Sequence, residues 1–332
     1  MTSGRALHPR HGTHDPTRGT PARRPGSVRR TSTVDMLRPD GLTGRVVVDA
    51  RARDLRTATV GTVAEGSAAH TRIEAEVDYV GGWTLRAISA DPPDERLAAL
   101  AGASLAGGFR RRVQETLPEQ YAEATRLHLL LDDFPVATLV SGVALSAGGF
   151  SASGEMLDRI AREDLCSGWR SDGTIMVGIR RDRLIPAVTG PDAPDVVVPD
   201  DPEAWHERPP LPPHAVRRAR RLDVWPADGR WEIDSLYRDS HVDADGRETV
   251  IHEWTVRGQV DPDDHRIRTM TATPQVLPWV ECPSAGASAA RLVGQDVREL
   301  RPLVRREFTG ISTCTHLNDQ LRQLADVPAL VS

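Results

Sequence analysis

Lysine is absent from this chain: all 42 of its basic residues are arginine. A guanidinium stays protonated and cannot form a Schiff base, so covalent catalysis through a lysine amine is excluded. The arginine-only composition is that of a GC-rich bacterial genome. Aromatic residues are scarce as well, at 4%. Neither arginine run, Arg110 to Arg112 or Arg217 to Arg221, has the flanking aromatics that base stacking needs. With a net charge of −5, the chain has no global attraction for nucleic acid or an acidic membrane surface, and neither is expected as a partner.

There are three cysteines, Cys166, Cys282 and Cys314, widely spaced and without a CxxC pair. That odd number opposes a secreted disulfide framework and predicts reduced thiols in a cytoplasm. No apolar run reaches the roughly 18 residues of a membrane span. The first 26 residues lack an apolar core, so they read as a disordered tail and not as a signal peptide. Nucleotide-binding glycine loops, a zinc-protease HExxH and a GxSxG elbow are all missing from the contexts that would give them meaning.

What is present is an internal repeat. Val28-Arg29-Arg30, Val34-Asp35 and Asp40-Gly41 recur as Val216-Arg217-Arg218, Leu222-Asp223 and Asp228-Gly229, each 188 residues later. Leu85 to Ala90 resembles Ile267 to Ala272, and His70 stands in the same relation to His252, each 182 residues apart. Phe109-Arg110 with Val113 and Leu117 matches Leu300-Arg301 with Val304 and Phe308. Each half runs from alternating, β-rich stretches into helical ones, predicted over 94–117, 122–141, 284–308 and 313–325. Asp245-Gly246 is a hairpin candidate. Strands first and helices after predict an α+β fold, two diverged copies of an antiparallel-sheet-plus-helices unit. The expected divisions are a tail over 1–26, a degenerate copy over 27–145, a connector over 146–212 and a second copy over 213–332. Within the connector, 153–168 has helical spacing and 186–213 has the Pro- and Asp-rich composition of a semi-rigid linker.

In the second half, Asp228-Gly229 through Trp231-Glu232-Ile233, Ile251-His252-Glu253, Cys282-Pro283 and Cys314-Thr315-His316-Leu317 resemble a bacterial family, DUF2889. Its most recognisable element is Gly-Cys-Thr-His-Leu, and Thr313 stands here in place of the glycine. The resemblance covers about 214–330 and reaches the first half only through the repeat. It implies no activity, but it places His252, Cys282, Cys314 and His316 at the family's marked positions.

Those four residues are the candidate catalytic set. Ser312 or Thr313 as N-cap would put Cys314 in the first turn of the last helix, where free amides and the helix dipole favour a thiolate. A nearby histidine, His252 or His316, would complete a Cys/His pair. Against this, Cys314, Leu317, Leu321 and Leu324 recur on one helix face, where cysteine serves as a small buried hydrophobe. Two Cys and two His also suit zinc or iron, although Cys314 and His316 diverge on a helix. The first half keeps His70 and His128 but no counterpart of either thiol; Asp91 and Arg126 fall near those places. Cys166 reads as core packing.

Three functions follow. The first is a cofactor-free lyase or isomerase that moves protons on a small acidic or aromatic compound through His252, His316 and Cys314, helped by Cys282. The second is a small-molecule or metal-binding protein without turnover. The third is a structural or partner-binding module. The oligomeric state is not legible.

Overall fold

A computed structural model describes residues 12–58, 63–150, 162–183, 185 and 187–331. Eight strands form one antiparallel sheet: β1 (Val28–Leu37), β2 (Val46–Thr57), β3 (Val63–Asp78), β4 (Thr84–Asp91), β5 (Val216–Ala227), β6 (Arg230–Val242), β7 (Glu248–Val260) and β8 (Ile267–Val276). Their spatial order is β4-β3-β2-β1-β5-β6-β7-β8, so each half is a four-stranded meander and the two halves meet edge to edge through β1 and β5. The fold is α+β, as the strand-then-helix pattern predicts. Asp228 and Gly229, at φ 49° and 70°, make the two-residue turn between β5 and β6, the conformation that Asp-Gly tolerates best.

The seam between the halves is reciprocal. Ser32 faces Arg220 at its centre. To one side Arg29 Nε donates to Asp223 Oδ1 at 2.6 Å; to the other Arg217 Nη2 donates to Asp35 Oδ2 at 2.6 Å. These are the arginines and aspartates that the 188-residue repeat aligns, each reaching across to the other half.

Helices cover one face. They are α1 (Phe109–Thr116), α2 (Pro118–Ala122), α3 (Arg126–Val140), α4 (Val143–Ala147), α5 (Thr174–Asp182), α6 (Leu300–Glu307), α7 (Thr315–Gln323) and α8 (Val327–Val331). α3 crosses β1, β2, β3 and β5, α7 lies against β7, and α8 against β5. One apolar core lies under the helices of each half, the first around Leu130, Phe109 and Ile73, the second around Trp254, Leu317 and Leu321. Residues 126–147 are long and apolar enough to cross a bilayer, yet 56% of their most apolar window is buried inside the protein, the position of a core helix. The stretches predicted as 94–117 and 284–308 are each broken. Gly102 and Gly108 take positive φ before α1, and Gly294 does so before α6, leaving 3₁₀ turns at Glu95–Leu100 and Cys282–Leu292.

The opposite face corrects two expectations. The tail is not disordered from residue 12 onward: Thr13 O accepts from Leu277 N at 3.0 Å, Asp15 N donates to Gln275 O at 2.9 Å, and Thr17 N donates to Glu253 Oε1 at 2.6 Å. Residues 1–11 lie outside the described part. The Pro-rich stretch is not a free linker either. Val196, Ala204 and Trp205 pack on Ala219 and Leu236, and Thr31 and Thr33 each hydrogen-bond a ring nitrogen of His206 at 2.9 Å. Prolines shorten the menu of conformations without saying whether the segment finds a surface, and here buried tryptophan and histidine anchor it. Of the predicted connector helix, 151–161 lie outside the described residues; 162–168 form no α-helix, and the helix that does form is α5, further on.

Candidate site around Asp239, His252 and His316

Asp239 sits on β6 with 0% of its surface exposed. An ionised carboxylate so placed needs partners, and strand register supplies them. Arg218 is its neighbour on β5 and His252 its neighbour on β7. Arg218 Nε donates to Oδ1 at 3.0 Å, Arg218 Nη2 donates to the Tyr237 hydroxyl at 2.8 Å, and that hydroxyl donates to Asp239 Oδ2. Burial alone would raise the carboxyl, but Arg218, then His252 and His316, hold it well below the usual carboxylate range. Arg218 also reaches Asp133 at 3.4 Å on α3 and Asp319 at 3.3 Å on α7, tying the site to the helices of both halves.

His252 points its Nδ1 at Asp239 Oδ2 across 3.4 Å, and its side chain is 14% exposed. His316, from the first turn of α7, stacks on it with ring centroids 3.8 Å apart and planes 20° from parallel. Burial, with His252 and Arg218 nearby, drives His316 well below its ordinary value, so it is a neutral imidazole at pH 7. The helix is positioned by Gln320, whose Nε2 donates to Ser235 Oγ at 3.0 Å. One oxygen or nitrogen from each of Asp239, His252 and His316 lies within 4.8 Å of the other two, a donor set of the kind that holds a divalent metal.

The thiols are placed differently from the expectation. Cys314 is itself the N-cap of α7, and its Sγ touches His316 Nδ1 at 3.9 Å. The helix dipole does not make it a thiolate: burial, with Cys166 beside it, pushes the thiol up to about 12 against the weaker pull of the His316 and Leu317 amides. Cys282 is buried and raised for the same reasons, with Cys314 and Cys166 both contributing. The three cysteines gather where Cys166-Ser167-Gly168 is held between Thr313 and Cys282; Ser167 N donates to Thr313 O at 2.8 Å, and a side chain on Gly168 would strike Cys282 Sγ. This is apolar packing, so the site is the two histidines with Cys314 at its margin.

Asp239, Arg218 and Tyr237 escape the sequence reading. The signal was available in the two-residue period that puts Tyr237 and Asp239 on the same face of a strand as Ile233, a core residue. In the first half the matching register pairs Arg30 with Asp54 and puts Ala69, not a histidine, opposite Asp54. Arg126, from the first turn of α3, occupies that carboxylate at 2.8 Å. His70 is exposed on β3. His128 is buried beside Tyr121, its basicity pushed down to about 4 by burial, and lines a cavity of about 10 Å³. The first half thus closes with a guanidinium what the second half leaves to two imidazoles.

Residues 216–330 match the family described as "Protein of unknown function (DUF2889)". No curated protein and no solved structure matches the chain.

Proposed function

Residues 216–330 are a DUF2889 region, and from that premise we propose that this part of the chain is an enzyme moving a proton on a small acidic or aromatic compound, as a lyase or isomerase does. The observation that carries the reading is the imidazole pair standing on a fixed, ionised carboxylate. Asp239 faces His252 Nδ1 at 3.4 Å, a charge contact and not a formed hydrogen bond, and would stabilise the imidazolium formed when Nε2 takes a proton. His316 stays neutral and donates or accepts a hydrogen bond without adding charge. Arg218 and Tyr237 are positioning residues, since they act through Asp239. The buried thiols are not nucleophiles in this scheme. The reading takes the two halves as diverged copies, a relation supported by the reciprocal seam, with the first half's site closed by Arg126.

The test is deuterium exchange. Purified protein is incubated in D₂O with a pool of small carbonyl and phenolic acids, and mass spectrometry follows label incorporation. The native protein should label at least one compound, and His252→Asn should not while keeping its circular dichroism. If nothing is labelled faster than in buffer, the reading fails.

A second reading, a divalent-metal site, is favoured by the 4.8 Å clustering of the three donors. The donor types fit zinc or iron, but the near-parallel stack makes the two lone pairs run side by side instead of converging, so one ring would have to turn. Stoichiometric zinc or iron in purified protein, lost in His316→Ala, would select it.

A further inference from the structure

Helix α7 has two working faces. His316, Leu317, Gln320 and Leu321 face the sheet, and Thr315, Asn318 and Arg322 face the other way, with Asp319 between them in reach of Arg218 on β5. This outer face forms one wall of a groove of about 330 Å³ between the helices of the two halves, α1 and α3 on one side, α6 and α7 on the other. The groove has the size of a small-molecule pocket, near the low end of the roughly 300–1,000 Å³ range. Its apolar surface comes from Phe109, Pro135, Val136, Leu139, Val304 and Phe308. Leu139 is 44% exposed there.

The polar lining is cationic. Arg110, Arg111, Arg305 and Arg322 line it; Asp132 and Asp319 together hold Arg110 and Arg322, so Arg111 and Arg305 supply the open charge. Asp319 is already spent on Arg110, Arg218 and Arg322. Arg305 is exposed and has no ion pair among the described residues, and Arg111 meets only Glu115 at 3.7 Å. The groove also receives the N-terminus of α1, which starts from Gly108 and has no side-chain cap. Its first amides and the dipole favour an anion. Independently, one buried donor on the α7 wall is left without a partner, Arg322 Nε, whose Nη atoms are held by Asp132 and Asp319. A buried polar group without a partner costs about 1–3 kcal/mol, so a ligand that satisfies it binds with that advantage.

We propose that this groove binds a small arylcarboxylate, its carboxylate on the cationic lining and the α1 N-terminus, its ring on the Val136, Val304 and Phe308 surface. The groove does not depend on the proton-transfer reading: neither histidine lines it, and it meets the Asp239 cluster only through Asp319, which Arg218 reaches at 3.3 Å.

The probe is 4-fluorobenzoate, observed by ¹⁹F NMR in titrations of the full chain, with neutral 4-fluorobenzamide as its isostere. The acid should saturate the protein and bind about tenfold or more tighter than the amide, the difference of one charge-assisted contact. Arg305→Glu, at an exposed position that folding does not need, should weaken the acid about tenfold or more. Val136→Trp should fill the groove and abolish binding. His252→Asn should leave binding unchanged. Absence of saturation, equal binding of acid and amide, or indifference to Arg305→Glu overturns the proposal. Binding lost in His252→Asn but retained in Arg305→Glu also overturns it and moves the acid to the histidine pair.

Discussion

Asp239 shows what a single side chain demands of its surroundings. A carboxylate with no exposed surface survives ionised only if cations and donors are built round it, and Arg218, Tyr237 and His252 are those groups. Asp239→Asn keeps the shape and removes the charge, leaving Arg218 buried against weaker partners. It should cost about 3–5 kcal/mol in urea unfolding, whereas Tyr237→Phe, which removes one hydroxyl, should cost about 1–3 kcal/mol. Equal effects would mean that the charge is not what holds the site together. The Cys314 thiol, raised to about 12, should be inert to a disulfide reagent at pH 8 in the native state and react at once in denaturant. At this scale the sequence was half legible. His252 and His316 stand out because polar rings recur in a marked motif. Asp239 does not, since one acid among many strand residues announces burial only when its strand neighbours are known. Cys314 misled because the helix-terminus argument is local, and the desolvation that outweighs it is tertiary.

Among elements, the β1–β5 pair decides the architecture. Both edges are studded with arginine, and each guanidinium is matched by an aspartate, as in Arg29 with Asp223 and Arg217 with Asp35. Removing one member of such a buried pair strands the other charge, while replacing both with apolar residues leaves nothing unpaired. Arg217→Met should therefore lose about 3–5 kcal/mol, and Arg217→Met with Asp35→Leu should recover most of it in the same chemical-denaturation measurement. A double variant as unstable as the single one would refute the account. The repeat aligns Val28 with Val216, where β1 and β5 begin, but nothing in the two blocks marked them as strands in the sequence. It could not say that the two blocks pair with each other, since pairing is a property of edges and not of sequence likeness. Helix boundaries were less legible, and glycines with positive φ cut the long predicted stretches into turns and short helices.

Across the whole molecule, two consequences follow from how charge is buried. His128 and His206 are held neutral, at about 4 and about 3, chiefly by burial, and His316 is lowered in the same direction. A histidine whose basicity falls on folding binds its proton more weakly in the native state than in the unfolded chain. Its stability contribution is whole above about pH 6.5 and is lost as the pH falls below that. At pH 5 His128 and His206 should each have given up about 2 kcal/mol, so urea midpoints should drop steeply between pH 7.5 and 5, and a flat profile would contradict the burial of these rings. The second consequence concerns the halves. Residues 213–332 are expected as a unit with its own core, and the cluster around Trp254 and Leu317 also takes in Val28 and, from α5, Ile175, Met176 and Ile179. The unit's β5 edge is completed by β1, and Arg217, Arg218 and Arg220 point to Asp35 and Asp133 in the first half. Cut away from that half, the strand would present a long unpaired edge carrying buried arginines with their carboxylates missing. Residues 213–332 expressed alone should accordingly aggregate or remain unfolded by circular dichroism, and co-expression with residues 12–212 should restore a soluble complex. A stable monomer of the second half would show that the seam is dispensable and that the sheet is two sheets placed side by side.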